Sequence, residues 1–227
     1  METYIIGIPS RQQSIDSLSQ KLNIKKENII LDTTKSGPLA SEIKALKKET
    51  KESHILFLQD DAWPCDNFYE ICDRIIKTHD DKIIGLFPFD FVFDDIADEA
   101  IRIKNDSPYY EVGIMSAVGI IFPTKYANGF IEYANKYGMP FEDDKTILRF
   151  CEQKKIGIIQ TFPALVQHLG TKSTIWQSAT ERKMKYFENQ SAANWESKVI
   201  NKIPSLPLLE PPEFCKKSLE VFARLCK

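Results

Sequence analysis

Apolar residues follow two alternating spacings along the first 160 positions. Short runs of consecutive apolar residues, typical of buried strands, are separated by segments in which apolar residues recur every three or four positions, as on one helix face. The predicted strands are Tyr4–Ile8, Ile29–Leu31, Ile55–Leu58, Ile83–Phe87, Val118–Phe122 and Ile156–Ile159. Strands that are apolar on both faces and alternate with helices indicate an α/β fold, with a mostly parallel sheet flanked by helices.

The helices predicted between these strands each carry one apolar face. In the clearest of them, Phe68, Ile71 and Ile75 fall on one side, and Asp66 is expected to cap the first turn. Further helices are predicted at residues 15–22, 38–46, 125–136 and 145–153. The alternation therefore extends to about residue 160.

Two segments depart from this alternation. Residues 88–113 are rich in acidic and aromatic residues and suggest an insertion or lid. Four of the 12 prolines fall between Pro204 and Pro212, which indicates an extended linker before a last helix at residues 213–226. We therefore expect a domain at 1–175 and a C-terminal helical extension at 176–227. The last helix is expected to dock either on its own domain or on a second copy of the chain, and the second arrangement would form a homodimer.

The composition excludes several classes of protein. The chain has 227 residues, 43% of them hydrophobic, and 30 basic against 32 acidic residues, which excludes a disordered chain and a generally basic nucleic-acid binder. No apolar run approaches the roughly 20 residues of a membrane span, and the N-terminus does not resemble a signal peptide. Five cysteines without a CxxC pair indicate reduced thiols. A cytoplasmic location is expected.

Polar residues follow the first two predicted strands where a parallel sheet binds its ligands. Arg11, after the first strand, suits a phosphate or a nucleobase edge, or alternatively a surface salt bridge. Asp32, after the second strand, could accept hydrogen bonds from ribose hydroxyls or could form a turn with Thr33 and Thr34. These residues are candidates for nucleotide binding.

The third strand runs directly into two adjacent acids, Asp60 and Asp61. Two carboxylates at the exit of a buried strand repel each other unless a cation or hydrogen-bond donors compensate them, and a divalent ion would do so while holding a diphosphate. His168 lies in a later loop and could complete a metal site, because imidazole suits manganese. The alternatives are a helix-capping aspartate and a hydrogen-bonded structural histidine.

Three acids, Glu142, Asp143 and Asp144, stand at the start of a predicted helix. Acidic residues favour a helix N-terminus, and one of them can cap it. At least one of the other two is then available as a general base.

The segments IPSR, FLQDD, FEDD and PALVQHLG, in this order, resemble the GT-A-fold glycosyltransferases, in particular the small single-domain type of phages, large viruses and bacterial polysaccharide loci. The resemblance covers roughly residues 1–175. It implies transfer of a sugar from a nucleoside-diphosphate donor, a UDP-sugar being the first expectation, to a hydroxyl acceptor. It also implies a divalent metal, Mn²⁺ or Mg²⁺, and inversion at the sugar if a carboxylate acts as base.

The resemblance also implies roles for individual residues. The Asp-x-Asp motif of the family corresponds to Gln59-Asp60-Asp61, in which Gln59 replaces the usual first acid. Asp61 and His168 would bind the metal, and Asp60 would contact the ribose or the metal's waters. Asp144 is the first choice for the base and Asp143 the second.

The remaining donor contacts are implied in the same way. The loop of Pro9, Ser10 and Arg11 would form the nucleotide-binding edge, and Asp32 would lie at the nucleoside. Independently of the resemblance, Lys172 stands close to His168 in the sequence and could neutralise a leaving diphosphate. A glycan or a hydroxymethylated DNA base could be the acceptor.

Other interpretations remain open. A nucleotidyltransferase would also need an acidic pair and a metal, but it normally begins with a glycine-rich loop, whereas residues 5–13 contain only Gly7. A non-catalytic sugar-binding module on the same fold is the third interpretation. Six lysines could form a local DNA-facing patch, although they equally suit two solvated helix faces: Lys21, Lys25, Lys26, Lys44, Lys47 and Lys48.

Overall fold

The computed structural model describes residues 1–87, 109–111, 116–138, 140–161 and 164–169. Most of the predicted insertion, the proline-rich linker, the C-terminal helix, the domain boundary near residue 175 and Lys172 lie outside these ranges. The expectations for them stay predictions.

Within these ranges, seven strands form one mixed sheet with the order β2-β1-β3-β7-β5-β8-β6. Their bounds are β1 Glu2–Gly7, β2 Ile29–Leu31, β3 His54–Gln59, β5 Ile83–Gly85, β6 Tyr109–Glu111, β7 Gly119–Pro123 and β8 Ile158–Thr161. Five strands point in one direction, whereas β6 and β7 run antiparallel to their neighbours. The mostly parallel sheet is confirmed.

In the described part of the chain, five α-helices flank the sheet: α1 Gln12–Leu22, α2 Pro38–Leu46, α3 Phe68–Thr78, α4 Ala127–Tyr137 and α5 Asp143–Lys154. Apolar side chains of α1 and α3 pack on one face of the sheet, and those of α2, α4 and α5 pack on the other. The prediction that helices cover both faces is therefore confirmed. No described helix is long and apolar enough to cross a membrane.

The central strand β3 shows why the sequence favours this arrangement. Leu56 and Leu58 point into the core beneath α1 and α3, while Ile55 and Phe57 point into the core beneath α2, α4 and α5. All four side chains are at most 1% exposed. Burial of an apolar residue at every position explains why the strand appears in the sequence as an uninterrupted apolar run.

Helix α3 follows the predicted face but not the predicted cap. Phe68, Ile71 and Ile75 are buried as expected, yet the N-cap position belongs to Asn67, which adopts a left-handed conformation with φ of 53°. The prediction that Asp66 caps this helix is therefore wrong. Asp66 instead lies 3.6 Å from the Lys21 ammonium group.

The connections bring the starts of two helices to the edge at which β1 and β3 end. Only residues 155–157 separate α5 from β8, so α5 runs opposite to that strand and its first turn lies at this edge. Helix α2 begins beside it, because the Leu39 amide donates a 3.4 Å hydrogen bond to the Pro140 carbonyl. Asp60 and Asp143 thus belong to the same edge of the sheet.

A two-stranded ribbon lies at this edge, formed by β4, Ala62–Pro64, and β9, Val166–His168. The strands are antiparallel, and Ala62 pairs with His168. The sequence predicts a loop around His168 and no strand at residues 62–64, because three residues are too short to show a strand period.

Candidate functional site

An arginine bridges the two adjacent acids that follow β3. Arg11 Nη1 donates to Asp60 Oδ1 at 2.7 Å and to Asp61 Oδ2 at 2.6 Å. Both aspartates are buried, with 5% and 2% of their surface exposed. The guanidinium therefore supplies the positive charge that two neighbouring buried carboxylates require.

The end of β1 holds Asp60 in place. The Ile8 amide donates to Asp60 Oδ2 at 2.9 Å, and Gly7 lies against the Asp60 side chain. A Cβ atom at Gly7 would come within 2.8 Å of Asp60 Cβ, so a larger residue there would push the carboxylate away. Burial raises the pKa of Asp60, and the hydrogen bonds from Arg11 and Ile8 oppose that shift.

His168 contacts the second acid although 107 positions separate them in sequence. Its Nε2 atom lies 3.2 Å from Asp61 Oδ2. The backbone fixes this proximity, because the Leu169 amide donates to the Asp61 carbonyl at 2.8 Å and Ala62 pairs with His168. The structure thus brings together the two residues that the sequence hypothesis names as metal ligands; that role stays a prediction.

The pair of Asp61 and His168 fits a divalent ion in chemistry and spacing. A carboxylate oxygen and an imidazole nitrogen suit manganese and its neighbours. Adjacent ligands of an octahedral ion with bonds of about 2.1 Å lie about 3 Å apart, close to the observed 3.2 Å. Among the described residues, no three His, Cys, Asp or Glu side chains surround one point. Other ligands would be water, a bound phosphate or a residue outside the described ranges.

Asp32 uses its carboxylate to shape the loop before α2. Its Oδ1 atom accepts hydrogen bonds from the amides and hydroxyls of Thr34 and Ser36, and its Oδ2 atom accepts a 2.8 Å hydrogen bond from the Gly37 amide. Burial opposes ionisation, but these hydrogen bonds outweigh it and lower the pKa of Asp32. The turn-forming alternative is thus the arrangement observed.

The loop that Asp32 shapes packs against the segment before α5. Gly37 has φ of 90°, and a Cβ atom on it would lie 2.2 Å from the Pro140 carbonyl oxygen. Glycine is required at this position by both the backbone conformation and the close approach. Phe141 is half exposed next to this contact.

The acids at the start of α5 have three different environments. Glu142 occupies the N-cap position without a capping side-chain hydrogen bond and instead accepts a 2.7 Å hydrogen bond from Lys145 Nζ. Asp144 is half-buried, and its Oδ1 atom accepts a 2.7 Å hydrogen bond from the Lys145 amide. Asp143 is 5% exposed and points into the core.

Asp143 meets a second buried acid, Glu42 of α2, which is 2% exposed. Burial is the main cause that raises the pKa of Asp143 to about 7, and burial together with the Asp143 charge raises the pKa of Glu42 well above its usual range. Glu42 Oε2 and Asp143 Oδ2 are hydrogen-bonded to no other group among the described residues. We interpret the two groups as a carboxyl pair that shares one proton.

The structure therefore places the predicted site residues in two groups at one edge of the sheet. Arg11, Asp60, Asp61 and His168 form the first, with Pro9 and Ser10 exposed beside it. The pair of Glu42 and Asp143, with Asp144, forms the second, and Asp32 shapes the adjoining loop.

Sequence reasoning missed Glu42 and the shared contact of Arg11 with both aspartates. A signal for Glu42 was present, because it lies three residues after Leu39 and four before Leu46, on the buried side of α2. An acid within an apolar stripe indicates a buried partner. The bridging role of Arg11 has no comparable signal, since nothing in the sequence relates its side chain to residues about 50 positions away.

The sequence matches no protein-family model and no curated protein. Among solved structures, A197 from STIV is similar, with 11% identity, a TM-score of 0.46 and coverage of 74% of this chain and 84% of that one. A galactosyltransferase, LgtC, solved in complex with donor and acceptor sugar analogs, has 10% identity, a TM-score of 0.42 and coverage of 90% and 98%. Both similarities concern the fold alone and assign no activity.

Proposed function

We propose that the protein is a metal-dependent glycosyltransferase that moves a sugar from a nucleoside-diphosphate donor to a hydroxyl acceptor. The observation that carries this proposal is the cluster of Arg11, Asp60, Asp61 and His168 at the edge where β1 and β3 end. Open α/β sheets bind their ligands at this edge. A second group of carboxylates, at the start of α5, lies at the same edge.

The first group is the donor site in this proposal. Asp61 and His168 would hold Mn²⁺ or Mg²⁺, which supplies positive charge to a departing diphosphate. Arg11 is a natural partner for a phosphate group, because its planar guanidinium binds phosphate and carboxylate oxygens in the same way. Asp60 would keep the hydrogen bond that it accepts from the Ile8 amide.

The second group supplies the base. Asp143 is buried against Glu42 with 5% of its surface exposed, which leaves little access for an acceptor hydroxyl. Asp144, the next residue of α5, is half-buried and therefore more accessible than Asp143. We therefore keep Asp144 as the first choice for the group that removes the acceptor proton, and a base at this place implies inversion at the sugar.

Further contacts complete the proposed donor site. Pro9 and Ser10 would line the nucleotide beside Arg11, and Asp32 would act by shaping the loop at residues 33–37. Lys172 stays the expected partner of the leaving diphosphate. A UDP-sugar remains the first expectation for the donor, and a glycan or a modified DNA base for the acceptor.

A hydrolysis screen tests this proposal without knowledge of the acceptor. The protein is incubated with Mn²⁺ and a panel of nucleotide sugars, and release of free sugar and nucleoside diphosphate is measured. We expect slow hydrolysis of one donor that needs the metal and is lost in Asp61→Asn. Release of pyrophosphate from nucleoside triphosphates, without hydrolysis of any nucleotide sugar, would instead identify a nucleotidyltransferase.

A further inference from the structure

One guanidinium nitrogen contacts both carboxylates beside the candidate metal site. Arg11 Nη1 lies 2.7 Å from Asp60 Oδ1 and 2.6 Å from Asp61 Oδ2, and this second oxygen also lies 3.2 Å from His168 Nε2. A divalent ion bound to Asp61 Oδ2 would therefore sit within a few ångströms of the Arg11 charge. Like charges at that separation repel strongly in a buried site.

We propose that Arg11 is the resident cation of this site and yields it to the divalent ion only when a diphosphate is bound. In the absence of nucleotide the guanidinium neutralises Asp60 and Asp61. When a diphosphate arrives, Arg11 turns from the carboxylates to the phosphate oxygens, and the metal enters between Asp61 and His168. This inference rests on the proposed donor site. It adds that the Arg11 guanidinium is replaced by the metal ion only when a diphosphate is bound.

The position of Arg11 permits such an exchange. It ends a short 3₁₀ turn, Pro9–Arg11, whose other two residues are exposed, and its own side chain is 15% exposed at the rim of the cluster. Asp60 would keep the 2.9 Å hydrogen bond from the Ile8 amide after the guanidinium leaves. The Asp61 backbone stays fixed by Leu169. The Asp60 carboxylate and the Asp61 backbone are thus held by contacts that do not involve Arg11.

The exchange makes metal binding and nucleotide binding depend on each other. Metal alone must displace the guanidinium from both carboxylates, whereas a diphosphate alone would take Arg11 away from two buried carboxylates. Together the two ligands leave every charge compensated. By linkage, each ligand then raises the affinity of the other by the same factor.

Direct titration of Mn²⁺, followed by its electron paramagnetic resonance signal, tests this inference without an activity assay. UDP is the nucleotide probe, and the Mn²⁺–UDP complex measured in protein-free solution is subtracted. We expect the wild type to bind Mn²⁺ at least tenfold more tightly with UDP than without it. Arg11→Met should bind Mn²⁺ alone several-fold more tightly than the wild type and should lose most of the UDP enhancement.

Two further variants control for structure. Arg11→Lys keeps a positive charge on a shorter side chain and should give an intermediate Mn²⁺ affinity. Arg74→Met removes a guanidinium that is paired at 2.6 Å with Glu70 on α3, away from the site, and should titrate like the wild type. Circular dichroism of each variant establishes that it is folded.

The outcomes separate this inference from the function on which it rests. If Arg11→Met binds Mn²⁺ alone with unchanged or lower affinity while the wild type shows the UDP enhancement, Arg11 does not compete with the metal and the inference is wrong. If the wild type binds no Mn²⁺ even with UDP, the proposed metal site itself is wrong, and the inference fails with it.

Discussion

At the scale of single residues, the buried acids of this protein are compensated in three different ways. Arg11 supplies a positive charge to Asp60 and Asp61, and backbone and hydroxyl donors surround Asp32. Asp143 lies against another buried acid, Glu42, and burial raises the pKa of both groups. The means of compensation decides what each group can do: hydrogen-bond donors favour the ionised form, whereas burial against another acid favours the protonated form.

The carboxyl pair of Glu42 and Asp143 should make the protein less stable as the pH rises. In the unfolded chain both groups lose their protons near pH 4, whereas folding raises the pKa of Glu42 and brings the pKa of Asp143 to about 7. The folded state therefore holds more protons between these pH values, and its stability declines as the pH rises through about 7. We expect the midpoint temperature of thermal unfolding to decrease as the pH is raised from 5.5 to 8.5.

Glu42→Gln should remove the part of this decline that Glu42 causes, because glutamine cannot ionise, whereas burial still raises the pKa of Asp143. Glu132→Gln, on the exposed side of α4, is the matched control and should keep the wild-type pH dependence. The pair would not hold a shared proton if wild type and Glu42→Gln gave parallel curves of thermal midpoint against pH.

Substitutions of Asp144 and Asp61 should impair different steps of the proposed reaction. Removal of a general base typically slows a reaction by about 10²–10⁴-fold, so Asp144→Asn should transfer sugar slowly while binding UDP and Mn²⁺ like the wild type. Asp61→Asn should lose binding itself. Steady-state rates and calorimetric titrations on both variants separate the two effects, and near-normal turnover of Asp144→Asn would reassign the base.

At the scale of elements, the sequence predicted the order and type of most helices and strands but not their directions. A buried strand is apolar at every position whichever way it runs, so nothing in Val118–Phe122 indicated that β7 would be antiparallel to β3. The predicted bounds shifted by one or two residues at most ends. The start of α4, for example, is taken by a 3₁₀ turn, Thr124–Tyr126, ahead of Ala127.

The candidate site was predictable where it followed strands and unpredictable where it depended on tertiary contacts. Asp60 and Asp61 could be found because acids directly after an apolar run are unusual. The contact of His168 with Asp61 was only a hypothesis, since it depends on β4 and β9, which are too short to recognise in the sequence.

The ribbon of β4 and β9 should be needed for binding, because it holds His168 beside Asp61. Leu169→Pro removes the amide that donates to the Asp61 carbonyl, and we expect affinity for Mn²⁺ with UDP to fall at least tenfold. Leu169→Ala keeps that amide and truncates a side chain that is 43% exposed, so it should bind like the wild type. Equal affinities of the proline and alanine variants would show that the ribbon does not position the site.

At the scale of the whole molecule, the described residues place the candidate site and the helix starts of α2 and α5 at one edge of a single sheet. This placement follows from chain direction: α2 begins where β2 ends, and α5 begins at the same edge because it runs opposite to β8, the strand that follows it. Residues far apart in sequence, such as Arg11, Asp60 and Asp143, thus come to one side of the molecule.

The sequence predicts an amphipathic helix at residues 213–226, with Phe214, Phe222 and Leu225 on one side. Truncation after Ile203 should remove its docking contacts and expose apolar surface, which would change the oligomeric state or cause aggregation. Light scattering coupled to size-exclusion chromatography measures this directly. A truncated chain that stays monodisperse, with the same number of copies per particle as the full chain, would contradict the prediction.

The thermal midpoint in the presence of UDP and Mn²⁺ tests the central claim most directly, because a ligand that binds only the folded state stabilises it by mass action. The account predicts a clear rise with UDP and Mn²⁺ together, a much smaller change with either alone, and no rise in Asp61→Asn. An unchanged thermal midpoint of the wild type with both ligands, or an equal rise in Asp61→Asn, would contradict it.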